Sequence, residues 1–152
     1  MNLVKSNKFI FLYNFVWFLL TPVIPLWIYY RVCRGLEEKS RVKERFGFPS
    51  LEKNKYDKLI WIHVASLGES VSASALSKGL RENGYKGLIL ITSGSKTSGN
   101  YLNKNTDIIH QYHPYDNSNW VKRFLKFWEP DALIMMESEI WPNFILNSWL
   151  LG

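Results

Sequence analysis

The segment His63-Val64-Ala65-Ser66-Leu67-Gly68-Glu69 follows directly on an apolar run and sets a carboxylate just past a small-residue turn. A carboxylate so placed suits general-base work, taking a proton from an alcohol as that oxygen attacks. Ser66 offers a hydroxyl beside it, and Gly68 has no side chain to block a ligand from the backbone. The same spacing also serves a purely structural end, because Glu69 would favour the positive end of a helix dipole. A second acidic pair, Glu137 and Glu139, lies in Met136-Glu137-Ser138-Glu139-Ile140-Trp141-Pro142-Asn143, at the end of another apolar run. Two carboxylate-bearing strand ends on one sheet make a candidate acid/base site, since open α/β sheets bind ligands outside the carboxyl ends of their strands. Glu139 also has a structural reading, satisfying backbone near the Trp141-Pro142 turn.

The loop Thr92-Ser93-Gly94-Ser95-Lys96-Thr97-Ser98-Gly99 is rich in hydroxyls and joins a strand to a helix. Thr92, Ser93, Ser95 and Thr97 are its candidate substrate contacts. It lacks the spacing of a Walker phosphate loop, and a solvent loop with an N-cap reads equally well. His110 and His113 are the nearest approach to a metal pair, but no further ligands stand at suitable spacing, so neither metal nor cofactor is expected. The single cysteine, Cys33, excludes a disulfide framework.

The elements that must carry these residues read clearly. Leu59 to Val64, Gly87 to Thr92, Ile108 to Tyr112 and Ala132 to Met136 are short apolar runs, as buried strands require. Glu69 to Glu82 and Asn117 to Trp128 carry helical spacing, the first ended by Asn83-Gly84 and the second by Glu129-Pro130. Strands alternating with helices predict parallel βαβ units with right-handed crossovers.

The first thirty residues differ. Phe9 to Tyr30 contains no charged side chain across 22 residues, against the roughly 20 that span a bilayer as a helix. Trp17, Trp27, Tyr29 and Tyr30 suit interfacial levels, while Pro22 and Pro25 would kink any span. The run is too long for a signal-peptide core and lacks a small-residue cleavage site. Lys5 and Lys8 precede it, and Arg31, Arg34, Lys39, Arg41, Lys43 and Arg45 follow. The heavier basic flank predicts that the globular part faces the cytoplasm. The net charge of +6 is concentrated there, where each basic residue contributes about 1 kcal/mol toward anionic headgroups. No nucleic-acid motif accompanies that charge. The expected organisation is a membrane anchor over residues 1–34, a basic juxtamembrane linker over 35–58, and an α/β domain over 59–152.

Together these segments resemble the 3-deoxy-D-manno-octulosonic acid (Kdo) transferases. His63 to Glu69 is similar to that family's His-x-x-Ser-x-Gly-Glu motif, Thr92 to Gly99 to its Thr/Ser-rich loop, and Pro114-Tyr115-Asp116 to its Pro-Tyr-Asp. Met136 to Asn143 resembles Met-Glu-Thr-Glu-Leu-Trp-Pro-Asn, with Ser138 and Ile140 as departures. Arg45-Phe46-Gly47, Arg123-Phe124-Leu125 with Pro130, and the amino-terminal anchor fit as well. The resemblance implies the amino-terminal, acceptor half of a B-type glycosyltransferase with a Rossmann-like parallel sheet. It implies metal-free, inverting transfer of Kdo from CMP-Kdo to the lipid A precursor (lipid IVA) in lipopolysaccharide synthesis, at the bacterial inner membrane. Glu69 would be the general base and Glu137 a second functional acid. The donor half of the family pattern is missing from this sequence, so the chain by itself is expected to be inactive, whether it is a fragment, one part of a split enzyme or the product of a disrupted gene. The alternative is a non-catalytic, membrane-tethered domain that binds the lipid acceptor.

Overall fold

The computed structural model describes residues 8–51, 58–136 and 141–151. Glu137 and Glu139 lie outside these residues. Four strands, β1 (Leu59–Val64), β2 (Leu88–Ser93), β3 (Ile109–Tyr112) and β4 (Ala132–Met135), form one sheet in the order β3-β2-β1-β4. Every pairing is parallel, with Leu59 opposite Leu88, Ile60 opposite Ala132 and Leu90 opposite Ile109. Helices α3 (Leu67–Glu82), α4 (Lys96–Leu102), α5 (Ser118–Trp128) and α6 (Pro142–Leu151) follow the strands in turn. The βαβ expectation therefore holds, with strand limits moved by a residue or so.

The period of two along the strands divides the core into two layers. Leu59, Trp61, Leu88 and Leu90 pack with Phe124, Trp128 and Phe144 of α5 and α6. Ile62, Val64, Ile89 and Ile91 point the other way, against Ala73 and Leu102 of α3 and α4. Both faces of the central strands are covered, which is why they read as continuous apolar runs rather than alternating ones. The ends are closed by local signals. Gly84 stands at φ 86° after α3, and Glu129 adopts the left-handed conformation at φ 43° just before Pro130.

The apolar amino-terminal run is two helices, not one. Here α1 (Lys8–Leu20) and α2 (Ile24–Cys33) meet at a 59° bend. The Thr21 hydroxyl donates to the Trp17 carbonyl at 2.7 Å, and Pro25 stands in the first turn of α2. Among the described residues no single helix is long and apolar enough to cross a membrane, although the bent pair passes that test together. Nor does α1 hang free. Tyr13 donates to Asp116 at 2.8 Å, Asn14 accepts from Asn143 at 2.9 Å, and Thr21 accepts from Asn117 at 3.2 Å. Trp17 packs edge-on against Trp120.

The segment expected as a basic linker is largely built into the domain. A 3₁₀ helix, Lys39–Phe46, lies along β3. Arg45 is only 1 % exposed and is paired with the buried Glu37 at 3.0 Å. It also donates to the Gly94 carbonyl at 2.7 Å and the His113 carbonyl at 3.3 Å. Arg41 is bidentate on Glu44, whose Oε2 also accepts the Tyr112 amide. Lys39 and Lys43 stay exposed, so part of the basic character faces solvent and part is neutralised internally. Gly47 follows at φ 78°, and a Cβ there would collide with the Trp120 carbonyl. Glycine alone meets both demands.

Removing one partner of a fully buried ion pair leaves an uncompensated charge. Glu37→Ala is therefore expected to cost about 3–5 kcal/mol, read as a lowered midpoint in urea denaturation. An unchanged midpoint would show that the Arg45 pair does not hold the 3₁₀ segment on the sheet.

Candidate functional site

The carboxyl ends of the four strands form one edge, and the helices begin from it. At the end of β1, Ser66 caps α3. Its Oγ accepts the Glu69 amide at 3.3 Å, while Glu69 Oε2 accepts the amides of Ala65 at 2.7 Å and Ser66 at 3.1 Å. This reciprocal arrangement is a capping box. Ser66 and Gly68 are exposed and Glu69 is half-buried. Both bonds fall on Oε2, so Oε1 has no protein partner among the described residues. The Ala65 amide holds the Glu69 carboxyl below the usual glutamate range. Partial burial opposes this, and the Ser66 amide and hydroxyl reinforce it. Glu69 is thus an ionised, oriented carboxylate with one oxygen available.

The hydroxyl loop after β2 divides by depth. Thr92 is fully buried, and its Oγ1 lies 2.8 Å from both Trp61 Nε1 and His63 Nδ1. Ser93 is equally buried and lies 2.9 Å from His110 Nε2. Those two hydroxyls point into the two core layers. Ser95 stands at the edge as the cap of α4, accepting the Ser98 amide at 3.1 Å, and Thr97 is exposed in the first turn. The structure therefore brings Ser66, Gly68, Glu69, Ser95 and Thr97 to one edge, and places Thr92 and Ser93 beneath it. Met136 reaches the same edge, its amide donating to the His63 carbonyl at 3.0 Å.

The histidines serve the interior. His110 Nδ1 lies 3.1 Å from an Arg41 nitrogen and 3.0 Å from Asn103 Oδ1, and its Nε2 lies 2.9 Å from the Ser93 hydroxyl. Burial, with Arg41 and Arg45 nearby, pushes His110 down to about 3. His113 is buried against His63, Trp141 and Phe144. Burial holds it well below the ordinary value, with His63 and Arg45 contributing. Both are neutral imidazoles at physiological pH.

One residue was not singled out for its chemistry in the sequence. Asp116, wholly buried, accepts the Asn143 amide on Oδ2 and the Phe144 amide on Oδ1, both at 2.9 Å. It caps α6 from 27 positions away. Its presence in Pro114-Tyr115-Asp116 was the only signal, because an N-cap is legible in sequence only when it is local.

The arrangement defines a class first: a parallel α/β domain whose strand ends carry capped helix starts and an available carboxylate. The family described as 3-Deoxy-D-manno-octulosonic-acid transferase (kdotransferase) matches residues 40–149. The probable mitochondrial Kdo transferase of Arabidopsis thaliana is 36% identical over 146 residues, covering 94% of this chain and 32% of that one. The Kdo transferase of Rickettsia bellii is 40% identical over 138 residues, covering 88% and 32%. That of Haemophilus influenzae is 30% identical over 143 residues, covering 92% and 33%. This chain belongs to the Kdo transferase family, and it spans about a third of the length of the curated relatives it matches.

Two outcomes follow. Thr92→Val removes the partner of the Trp61 indole and of His63 and should cost about 1–3 kcal/mol, measured by thermal unfolding. An unchanged midpoint would mean the buried groups find other partners. Separately, His110 and His113 have folded pKa values below their unfolded one, so the unfolded chain binds more protons. Stability should therefore fall as pH drops through about 6.5. Glu69, with its folded pKa also depressed, keeps its contribution above the ordinary glutamate value and loses it only at still lower pH. Denaturation at pH 7.5 and 5.5 separates the windows; a midpoint no lower at 5.5 would contradict neutral burial of the imidazoles.

Proposed function

We propose that this chain is the acceptor-binding half of a membrane-associated Kdo transferase, which moves Kdo from CMP-Kdo to the lipid A precursor with inversion at the anomeric carbon. The donor is bound by a second Rossmann-like half. The observation that carries this reading is the Glu69 carboxylate, fixed through Oε2 and available through Oε1 at the strand-end edge. Its lowered pKa keeps it ionised, so it can accept the acceptor hydroxyl's proton as the new C–O bond forms. Two backbone amides fix its direction, and such fixing matters more here than basicity. Glu137, which follows Met136 in the chain, is the second acid, stabilising the transition state or orienting the acceptor. Ser66, Gly68, Ser95 and Thr97 are the contacts on the edge; Thr92 and Ser93 support it from below. Glu139 serves the acceptor or its own turn.

The bent pair α1–α2 holds the domain to the inner membrane with the site toward the cytoplasm. Phe11, Phe18, Leu26 and Tyr29 are all exposed by 70 % or more, and Arg34, Lys39 and Lys43 flank them in position to meet anionic headgroups. An acceptor embedded in that membrane is then found by search in two dimensions. The alternative, a tethered domain that binds acceptor without turnover, draws on the capping box, which gives Glu69 a full structural role.

Glu69→Gln preserves an oxygen acceptor for the two amides and removes the base. In membranes carrying the complete protein, transfer of labelled Kdo from CMP-Kdo to lipid IVA should fall about 10²–10⁴-fold with the unfolding midpoint unchanged. The acid limb of the wild-type pH profile should lie below the ordinary glutamate value, because Glu69 must be ionised. Wild-type rates in the variant would remove the base assignment, and acceptor binding without any transfer would favour the tethered binder.

A further inference from the structure

Between α1 and the start of α5 lies a groove of about 530 Å³, within the range of about 300–1,000 Å³ typical of small-ligand sites. Its walls combine indole with uncharged polar groups. Trp17 and Trp120 supply the rings, and Asn14, Thr21, Ser118 and Asn119 line the rest. No Lys, Arg, Asp or Glu stands among its described lining residues.

The walls are tied together without a ligand. Asn117 donates to Thr21 and accepts the Asn119 amide at 3.0 Å, while Asn14 accepts from Asn143. That leaves the Ser118 hydroxyl and the exposed Asn119 carboxamide uncommitted among the described residues. Behind Asn14, Asn143 is fully buried, and its Oδ1 has no hydrogen-bond partner among the described residues. Trp17 is half-buried, whereas Trp120 is 8 % exposed, so Trp17 presents the more open ring. Phe18, on the outer lip, is 72 % exposed and continuous with the apolar outer face of α1.

This composition selects a chemistry. The groove has no cation among its described lining residues to pair with a phosphate or carboxylate, and the start of α5 that borders it is already capped by Asn117, whose Oδ1 accepts the Asn119 amide. Its carboxamides and hydroxyls make it too polar for an acyl chain. An indole face beside amide and hydroxyl groups suits a pyranose, whose C–H face packs on the ring while its hydroxyls and amide pair at the edge. We infer that the α1–α5 groove binds an uncharged sugar ring of the membrane glycolipid acceptor. The headgroup is thereby held beside α1 at the bilayer surface, with its acyl chains left in the lipid. The inference rests on the acceptor-binding role proposed above and adds to it the place and the part of the acceptor that is read.

The test is flotation of the full chain with phosphatidylethanolamine/phosphatidylglycerol vesicles, plain or containing lipid IVA or its dephosphorylated form. The double variant Ser118→Ala/Asn119→Ala keeps the Asn117 cap and changes side chains at the groove's surface; its unfolding midpoint serves as the control. Wild type should prefer both glycolipid vesicles over plain ones. The double variant should bind the dephosphorylated glycolipid about tenfold more weakly, the effect of two lost hydrogen bonds, with plain-vesicle binding unchanged. A variant that retains the wild-type preference overturns the groove while leaving the acceptor role in place. An equal loss on plain vesicles also overturns it, by making the groove part of general membrane contact. No wild-type preference for lipid IVA vesicles would overturn the acceptor role itself, and the groove with it.

Discussion

The Asp116 carboxylate is the joint on which the carboxyl edge of this domain depends. It stands just beyond β3, receives two amides from the first turn of α6 and takes the Tyr13 hydroxyl from α1. Its own carbonyl accepts Asn143 Nδ2 at 2.6 Å. Buried carboxylates are costly unless fully hydrogen-bonded, and here three donors from two distant segments meet that need. One side chain therefore sets the start of α6, the outlet of β3 and the seat of the amino-terminal helix. Met136 is held on β1 through the His63 carbonyl, and Asn143 is held on Asp116.

A second joint works from the opposite side. The Glu37–Arg45 pair buries a guanidinium that reaches the Gly94 and His113 carbonyls. The residues after β2 and β3 are thus fastened to the 3₁₀ segment, and through Arg31, which pairs with Glu37 at 2.9 Å, to the end of α2. The helices α1 and α2 and the strand-end edge are connected by short contacts rather than by a flexible tether. In the role proposed for this chain, such contacts would fix the edge relative to the surface on which the helices rest. They also explain why so basic a segment carries buried glutamates: a guanidinium without a partner would not remain inside.

In the proposed mechanism, Glu69 joins a structural and a chemical role in one side chain. The capping box uses Oε2 and orients the carboxylate, and the same two amides that stabilise the helix lower its pKa. A freely rotating glutamate would be the stronger base but would seldom point at a substrate. The helix start trades basicity for direction, and direction is what the proposed base would need most, because the proton leaves only as the nucleophile attacks.

Much of this was legible in the chain itself. The apolar runs of β1, β2, β3 and β4, and the Asn83-Gly84 and Glu129-Pro130 stops, are local signals, and local signals survive translation into structure. Glu69 could be picked out because its carboxylate and its turn are neighbours in sequence. Other features were decided only by tertiary structure. Thr92 and Ser93 looked like loop hydroxyls, yet the last residues of β2 are enclosed by both helical layers and satisfy Trp61, His63 and His110. The charge-free run from Phe9 to Tyr30 showed its kink in Pro22 and Pro25, but not that Tyr13, Asn14 and Thr21 would be laid on the domain. Arg45 read as part of a basic flank, and Asp116 as one member of a tripeptide. Their partners lie 8 and 27 residues away, and no local pattern records a contact at that distance. The sequence by itself determined which segments become strands and helices, because period and punctuation act over a few residues. Which polar groups face a ligand and which hold the edge together was decided by packing, because burial is a property of the assembled layers.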